Sequence, residues 1–245
     1  MGKRVSLSNR LKKVASYLPE NANFADIGSD HAYLAAYVCQ NNPNAKAIAG
    51  EVNIGPLESA KDTINEYGLQ NQIDVRLGDG LEVIRPGEIK QIVIAGMGGS
   101  LITSILNQHK EIALEVDRMV LQPNVDAKEL RQWLDDHKYL LIMEEIIEEQ
   151  GHIYEILVAG KDKSIKSPYN DLEKEKQLYF GPYLLQDRND AFMKKWQIER
   201  EKLERIVKQM KQAKQIDHDK INLFTKELEW MREVLNNEKN NMETR

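Results

Sequence analysis

Phe24-Ala25-Asp26-Ile27-Gly28-Ser29-Asp30-His31-Ala32-Tyr33-Leu34 begins as a short apolar run, passes an acidic residue and a glycine, and then takes up helical spacing at Leu34 and Val38. That order reads as a strand, a tight turn and a helix. At the carboxyl end of a first parallel strand, such a turn faces the crevice where open α/β sheets hold their ligands. Gly28 lets the backbone approach a ligand without an intervening Cβ. Asp26, at the strand end, is placed to accept hydrogen bonds from a cationic or hydroxyl-bearing group. An ordinary strand-to-helix connection with one glycine would read the same way, so the meaning of the turn depends on its surroundings.

Upstream, Ser8 is suited to cap a helix whose apolar positions Leu11, Val14, Ala15 and Leu18 share a face, with Pro19 beyond its end. Downstream, a helix from Ala32 to Cys39 is followed by a strand over Ala45–Glu51 and a helix opened by Asn53 and Pro56 and closed by Gly68. Strands at Ile73–Leu77, Gln91–Ala95 and Arg118–Leu121 follow, with helices from Ser100 and over Asp126–His137, then a hairpin of Tyr139–Glu148 and His152–Ala159 across Gln150-Gly151. Alternation of strands and helices predicts a parallel sheet with right-handed crossovers, closed by an antiparallel pair.

Acidic residues recur at one edge of that sheet. Asp26 closes the first strand, Glu51 the second, and Asp79 lies in the Gly78-Asp79-Gly80 turn after the third. A carboxylate at the end of the second strand can take both hydroxyls of a ribose, and an aspartate after the third can accept from an adenine amino group. A dinucleotide-binding protein would also carry the second acid, but its phosphate turn needs G-x-G-x-x-G. Here Asp30 and His31 stand where a pyrophosphate would lie, and a carboxylate there repels it. An adenosine cofactor with no phosphate and a cationic amino-acid tail fits instead, and S-adenosyl-L-methionine is that molecule.

The set D-I-G-S-D-H-A-Y-L, G-E-V-N-x-G-P, G-D-G-L, I-A-G-M-G-G, Q-P-N and E-E-Q-G-H-I-Y-E-I resembles the bacterial TrmK family. Those proteins are class I S-adenosylmethionine-dependent methyltransferases acting on N1 of adenine-22 in tRNA. The resemblance covers residues 1–160 and extends to the helical tail. It implies a class I, Rossmann-like α/β fold with a seven-stranded sheet, followed over residues 161–245 by an α-helical antiparallel coiled-coil domain. It also implies a cofactor site at Asp26, Gly28, Ser29, His31, Glu51, Val52, Asn53, Gly78, Asp79, Gly80, Ala95, Gly96 and Met97.

Methyl transfer from a sulfonium to adenine N1 needs no strong base, because N1 carries a free lone pair near neutral pH. Positioning then supplies much of the rate. Methylation leaves a cationic ring, so carboxylates or carbonyls beside it stabilise the developing charge, and one can later take a proton from the exocyclic amine. The expected polar groups are Asp30 in the first turn and Gln122 and Asn124 after the fifth parallel strand. The glycines of Ala95-Gly96-Met97-Gly98-Gly99 offer a backbone-lined slot for a flat base. Expected substrate contacts are Gly98, Gly99, His152, Tyr33 and the basic residues Arg4, Arg10, Lys12 and Lys13. Each has a structural alternative: Gln122 and Asn124 as helix caps, Tyr33 as a core aromatic, His152 as a hairpin residue. A stacked adenine must also be unstacked before it enters.

The chain of 245 residues carries a net charge of −5, yet Lys3, Arg4, Arg10, Lys12 and Lys13 precede the first acid, Glu20. Such a patch suits a phosphate backbone, although a solvated helix face has the same composition. No apolar run of about 18 residues is present and the first residues lack a secretory centre, so a cytoplasmic protein with no membrane partner is expected. The single cysteine, Cys39, excludes an internal disulfide and a cysteine metal cluster, and no metal is expected. Past Gly160, K-D-K-S-I-K-S-P-Y-N reads as a linker, and the remainder as charged helix to the end of the chain. Trp196, Leu203 and Met210 with Ile206, and Ile221, Phe224, Leu228, Met231 and Leu235, form apolar seams. Closure of these two helices on each other predicts a monomer, with Lys194, Lys195, Lys202, Arg205, Lys208, Lys211 and Lys214 available to an RNA backbone. A small-molecule methyltransferase, or a cofactor-binding scaffold that docks a protein partner, would share the cofactor residues.

Overall fold

The computed structural model describes residues 3–161, 164 and 166–236. Residues 162, 163 and 165 of the expected linker, and 237–245 of the expected helical end, lie outside the described residues. Elements follow in the order α1 (Asn9–Ser16), β1 (Asn23–Ile27), α2 (Tyr33–Asn41), β2 (Lys46–Glu51), α3 (Ile54–Tyr67), β3 (Ile73–Leu77), β4 (Gln91–Met97) and α4 (Gly99–Gln108). After them come α5 (Lys110–Ala113), β5 (Arg118–Pro123), α6 (Ala127–Asp136), β6 (Leu140–Glu149), β7 (His152–Gly160), α7 (Lys174–Phe180), α8 (Leu184–Asp187), α9 (Asp190–Met210) and α10 (His218–Asn236).

Seven strands form one sheet in the order β3-β2-β1-β4-β5-β7-β6, in which the first five are parallel and β7 and β6 are antiparallel additions. Strand order reverses between β1 and β4, so the crevice at their carboxyl ends opens beside Gly28. The central strands are buried on both faces, as their near-continuous apolar sequences require. Period-2 alternation divides them: Ile92 and Ile94 point into a core with Leu106, Leu130 and Trp133, whereas Val93 joins Phe24, Val38 and Val120 on the other face.

The strands and helices expected up to residue 160 are present, with shifted ends. β4 runs two residues beyond Ala95, because an irregularity between Ala95 and Met97, with Gly96 at φ +82°, lets pairing with β5 resume at Pro123. The first-turn helix starts at Tyr33 rather than Ala32, because Ala32 is left-handed at φ +59°.

The carboxyl-terminal helices dock on the β6–β7 hairpin. Ile146 of β6 joins Phe180, Phe192, Trp196, Leu203, Leu228 and Met231 in a third apolar cluster. Within it, Val207 rather than Ile206 takes the buried position, and Met210 only packs at the margin. Beneath this contact Arg131, fully buried, bonds Glu144 at 2.5 Å and also reaches Glu155, which in turn meets Lys195 of α9. Burial alone would raise the Glu155 carboxyl, but Lys195 and Arg131 outweigh it and hold its pKa below the usual range. Gly181 sits against this cluster, where a Cβ would come within 2.7 Å of Arg131 and Glu144. Two cations and two carboxylates therefore join the helices to the sheet.

Candidate functional site

The first turn is built around a backbone that side chains rarely permit. Gly28 has φ +67°, and a Cβ there would lie 2.2 Å from the Met97 methyl, so both conformation and space call for glycine. Its N–H donates to the Gly50 carbonyl at 3.0 Å, which ties the turn to the end of β2. Asp30, His31 and Ala32 follow at φ +44°, +68° and +59°. Three successive left-handed non-glycine residues each carry a conformational cost of about 1 kcal/mol or more. Such strain persists only where packing enforces it, and the turn is anchored through buried Ser29, whose hydroxyl donates to Glu51 at 2.7 Å.

A cavity of about 400 Å³ opens here. Asp26, Gly28, Ser29, Asp30, Tyr33 and Leu34 of the first turn line it together with Arg10, Leu11, Ala95, Gly96, Met97, Asn124 and Tyr154. Asp26 is buried, and burial, reinforced by the neighbouring Glu51 and Asp30, pushes its carboxyl up to about 8 despite a backbone hydrogen bond from Ala35. Its Oδ2 has no hydrogen-bond partner among the described residues. A buried, unpaired carboxylate oxygen at a cavity wall is a place for a cation or donor to complete.

The second acid is equally well defined. Glu51 is buried and accepts from Ser29, and its own carbonyl accepts from the Gly78 N–H at 2.9 Å. That contact brings the turn after β3 alongside. Asp79 N–H donates to the Glu82 carboxylate at 2.6 Å, and a Cβ on Gly78 would meet the same side chain at 2.8 Å. Gly80 is left-handed at φ +56°. Val52 and Asn53 are exposed on the same rim. Glu51, Val52, Asn53, Gly78, Asp79 and Gly80 thus flank the cavity without lining it, and His31 also stands outside its lining.

Behind the lining residues Arg10, Gly96 and Asn124, Gln122 near the end of β5 is fully buried and does not itself line the cavity. Its Oε1 accepts from the Gly96 N–H at 3.1 Å and from the Arg10 guanidinium. Its Nε2 donates to the Pro123 carbonyl at 2.9 Å and to Asn124 Oδ1 at 3.2 Å. Asn124 donates from Nδ2 to the Gly96 carbonyl at 2.7 Å, and its backbone N–H to Met97 at 2.7 Å. These bonds lock the β4 and β5 ends together. Gly99 is part of the same lock: a Cβ there would stand 2.2 Å from the Asp126 carbonyl oxygen, so it is buried against backbone, with Gly98 beside it.

Tyr33 is 43% exposed at the cavity, not a core aromatic. Tyr154 was missed by sequence reasoning, although a signal existed: two residues beyond His152 on one strand, it faces the same side, and the two rings are 6.3 Å apart. His152 itself lines an adjoining groove with Asn124, Lys128, Lys195, Trp196 and Lys202. Of the basic cluster, Lys3 pairs with Glu66 and Lys13 with Glu145, Arg10 reaches the cavity, and Arg4 and Lys12 are exposed with no ion pair among the described residues. On α9, Lys194 and Lys195 hold the hairpin through Glu148 and Glu155. Glu149 caps α1, accepting from Asn9 N–H at 2.6 Å. No group of three or more metal-ligating side chains, and no helix long and apolar enough to cross a membrane, occurs among the described residues.

Comparison with known proteins places these features in a family. Residues 24–233 match the model for TrmK, tRNA (adenine(22)-N(1))-methyltransferase. The tRNA (adenine(22)-N(1))-methyltransferase of Bacillus subtilis is 42% identical over 94% of this chain and 98% of its own length. The crystal structure of the B. subtilis m1A22 tRNA methyltransferase TrmK superposes with a TM-score of 0.87 at 40% identity, covering 95% of this chain and all of that one. TrmK of M. capricolum, solved with the cofactor product S-adenosyl-homocysteine, gives a TM-score of 0.77 at 29% identity, over 94% of this chain and 97% of its own. With residues 24–233 matched by the family model and 94% of its length by a relative 42% identical, the chain belongs to the TrmK family of tRNA (adenine(22)-N(1))-methyltransferases.

Proposed function

We propose that this protein methylates N1 of adenine-22 in tRNA with S-adenosyl-L-methionine as donor. The observation that carries the reading is the cavity lined by Asp26 and Asn124: a buried carboxyl with an unpaired oxygen shares it with the Tyr33 and Tyr154 rings and the Asn124 amide. The residues suit the cofactor: the cavity beside Gly28, the orphaned Asp26 oxygen and the Glu51 carboxylate match a slim chain, an ammonium and a ribose in turn. When bound, that cofactor supplies an electrophilic methyl group.

The protein's own contribution is placement. Asp26 receives the ammonium, Glu51 the ribose hydroxyls, and Asp79 the adenine amine of the cofactor, with Gly78 and Gly80 leaving room for its ring. Ser29 fixes the Glu51 rotamer, and Val52, Asn53 and His31 border the adenosine end. Gly28, Ala95, Gly96 and Met97 shape the passage between the two halves of the cavity. Asp30 stands at the mouth, where its charge stabilises a ring turning cationic and can take the proton the exocyclic amine later releases. Gln122 and Asn124 supply amide groups to the substrate base, and Tyr33 and His152 extend its contact surface. Residues 1–160 form the methyltransferase domain and residues 161–245 an antiparallel coiled-coil domain. Lys202, Arg205, Lys208, Lys211 and Lys214, together with Arg4 and Lys12, grip the tRNA backbone. The protein works as a metal-free monomer in the cytoplasm.

Transfer of labelled methyl from S-adenosyl-L-methionine to unmodified tRNA, followed by nuclease digestion, tests the reading. The expected product is 1-methyladenosine, lost when adenine-22 is replaced. Cofactor binding with no labelled tRNA would leave the fold assignment standing and reject the substrate.

A further inference from the structure

We propose that the Arg10 side chain occupies, in the free protein, the slot that receives the target adenine, and that Tyr154 and Gln122 recognise the base in that slot. The proposal rests on the methyl-transfer reading above. The guanidinium carbon of Arg10 lies 5.0 Å from the centroid of the Tyr154 ring, and its Nη1 donates to Gln122 Oε1. It is a planar cation held over an aromatic face while donating to a buried carbonyl oxygen.

The methylated adenine has the same description. It is flat, positively charged, and carries N6–H donors at one edge. A site that holds a planar cation beside a fixed acceptor is complementary to the base as its charge develops, which is the complementarity that lowers a barrier. Stacking on aromatic side chains is also how unstacked bases are generally held.

Gln122 has no freedom to turn away. Its Nε2 is engaged by the Pro123 carbonyl and Asn124 Oδ1, and its Oε1 already takes the Gly96 N–H. Of the four hydrogen bonds on this amide, only the one from Arg10 comes from a long, adaptable side chain. Remove Arg10 and a buried carbonyl oxygen faces the cavity, ready for another donor. Adenine presents an amine there, whereas inosine presents a carbonyl, which the Gln122 oxygen repels. The exchange needs no backbone movement, because α1 stays anchored by Glu149, which accepts the Asn9 N–H at 2.6 Å. Once displaced, the guanidinium can meet a phosphate of the arriving RNA.

Because the slot is filled in the free protein, nucleosides bind it weakly, and emptying it raises their affinity by the reciprocal of the fraction of time the slot stands open. Calorimetric titration of adenosine, 1-methyladenosine and inosine into protein saturated with S-adenosyl-homocysteine measures this. Arg10→Ala, and Arg10→Met as a second variant that keeps the aliphatic stem, are expected to bind 1-methyladenosine about tenfold or more tightly than wild type, with adenosine following and inosine unchanged. Adding Tyr154→Ala to Arg10→Ala should abolish the gain. Unchanged affinity for S-adenosyl-homocysteine in each variant reports an intact fold. Equal nucleoside affinity in wild type and both Arg10 variants, or a gain that survives Tyr154→Ala, overturns the proposal. If the wild type methylates tRNA yet the nucleoside titrations show no gain, only the role of Arg10 falls. If tRNA is not methylated at all, the underlying reading falls with it.

Discussion

Asp26 gives a prediction with two opposite signs. Its carboxyl is pushed up to about 8 by burial, with Glu51 and Asp30 adding repulsion, against an ordinary value of 3.8. A raised carboxylate pKa means that the folded protein keeps a proton which the unfolded chain releases. The resulting stability is fully present below the unfolded value and is lost as pH rises toward the folded one. Replacing the group by a neutral amide removes the dependence. Relative to wild type, Asp26→Asn should therefore gain stability by roughly 1 kcal/mol for each pH unit between about 5 and 7.5 in the ligand-free protein. Cofactor binding runs the other way. An ammonium pairing with Asp26 needs the carboxylate, so binding must expel the proton. For a folded pKa near 8, the apparent affinity carries a factor of 1 + 10^(8−pH), so it should rise about ninefold from pH 6 to pH 7. The window closes as pH passes the folded value of about 8, above which the carboxyl is already ionised in the free protein. Urea denaturation across pH gives the first quantity and calorimetry with S-adenosyl-homocysteine the second. In Asp26→Asn the affinity should be weak and nearly flat over the same window. A flat wild-type affinity from pH 6 to 7, or parallel pH profiles of stability for the two proteins, would refute the protonated Asp26 and the cavity electrostatics built on it.

Gly99→Ala places a Cβ against the rigid backbone oxygen of Asp126, so a loss of about 2–3 kcal/mol is expected by urea denaturation. Gly28→Ala meets only the flexible end of Met97 but keeps a positive φ, and should cost about 1 kcal/mol while weakening S-adenosyl-homocysteine far more than it lowers stability. Arg131→Met leaves Glu144 and Glu155 buried with, among the described residues, Lys195 as the one remaining cation, paired to Glu155, and only the Tyr183 N–H on Glu144, and should cost about 3–5 kcal/mol, whereas Lys194→Ala, which loses a half-exposed pair, should cost under about 1 kcal/mol. Charge reversal at Lys202 and Arg205 together should raise KM for tRNA in filter-binding and initial-rate assays, with S-adenosyl-homocysteine affinity unchanged. Equal effects on both ligands would remove α9 from the RNA surface.

What could be read from the sequence was set by local periodicity and chain punctuation. The apolar runs at Phe24–Ile27 and Gln91–Ile94, the helix-ending Gly68 and the hairpin turn at Gln150-Gly151 each depend on neighbours a few residues away, so the order of strands and helices was legible. The same holds for Asp26, Glu51 and Asp79, because a strand end is visible in sequence and parallel strands bring their ends to one edge. Other features depend on contacts between residues far apart in the chain. Gly99 read as an opening for a flat base, but the approach of the Asp126 backbone makes it a packing position. Tyr33 could be read as a substrate contact or as a core aromatic, and only the folded chain shows its ring exposed at the cavity. Lys194 and Lys195 read as members of a basic row, but Glu148 and Glu155 on the hairpin claim them. The partnership of Arg10 with Gln122 and Tyr154 joins the first helix to strands more than a hundred residues downstream, and no local pattern announces it. Sequence alone determined which elements form and where strand ends place their acids, because those follow from nearest-neighbour propensity and strand geometry. The tertiary structure decided which polar groups are buried, which are paired and which face the cavity, because desolvation and pairing exist only once distant segments share one space.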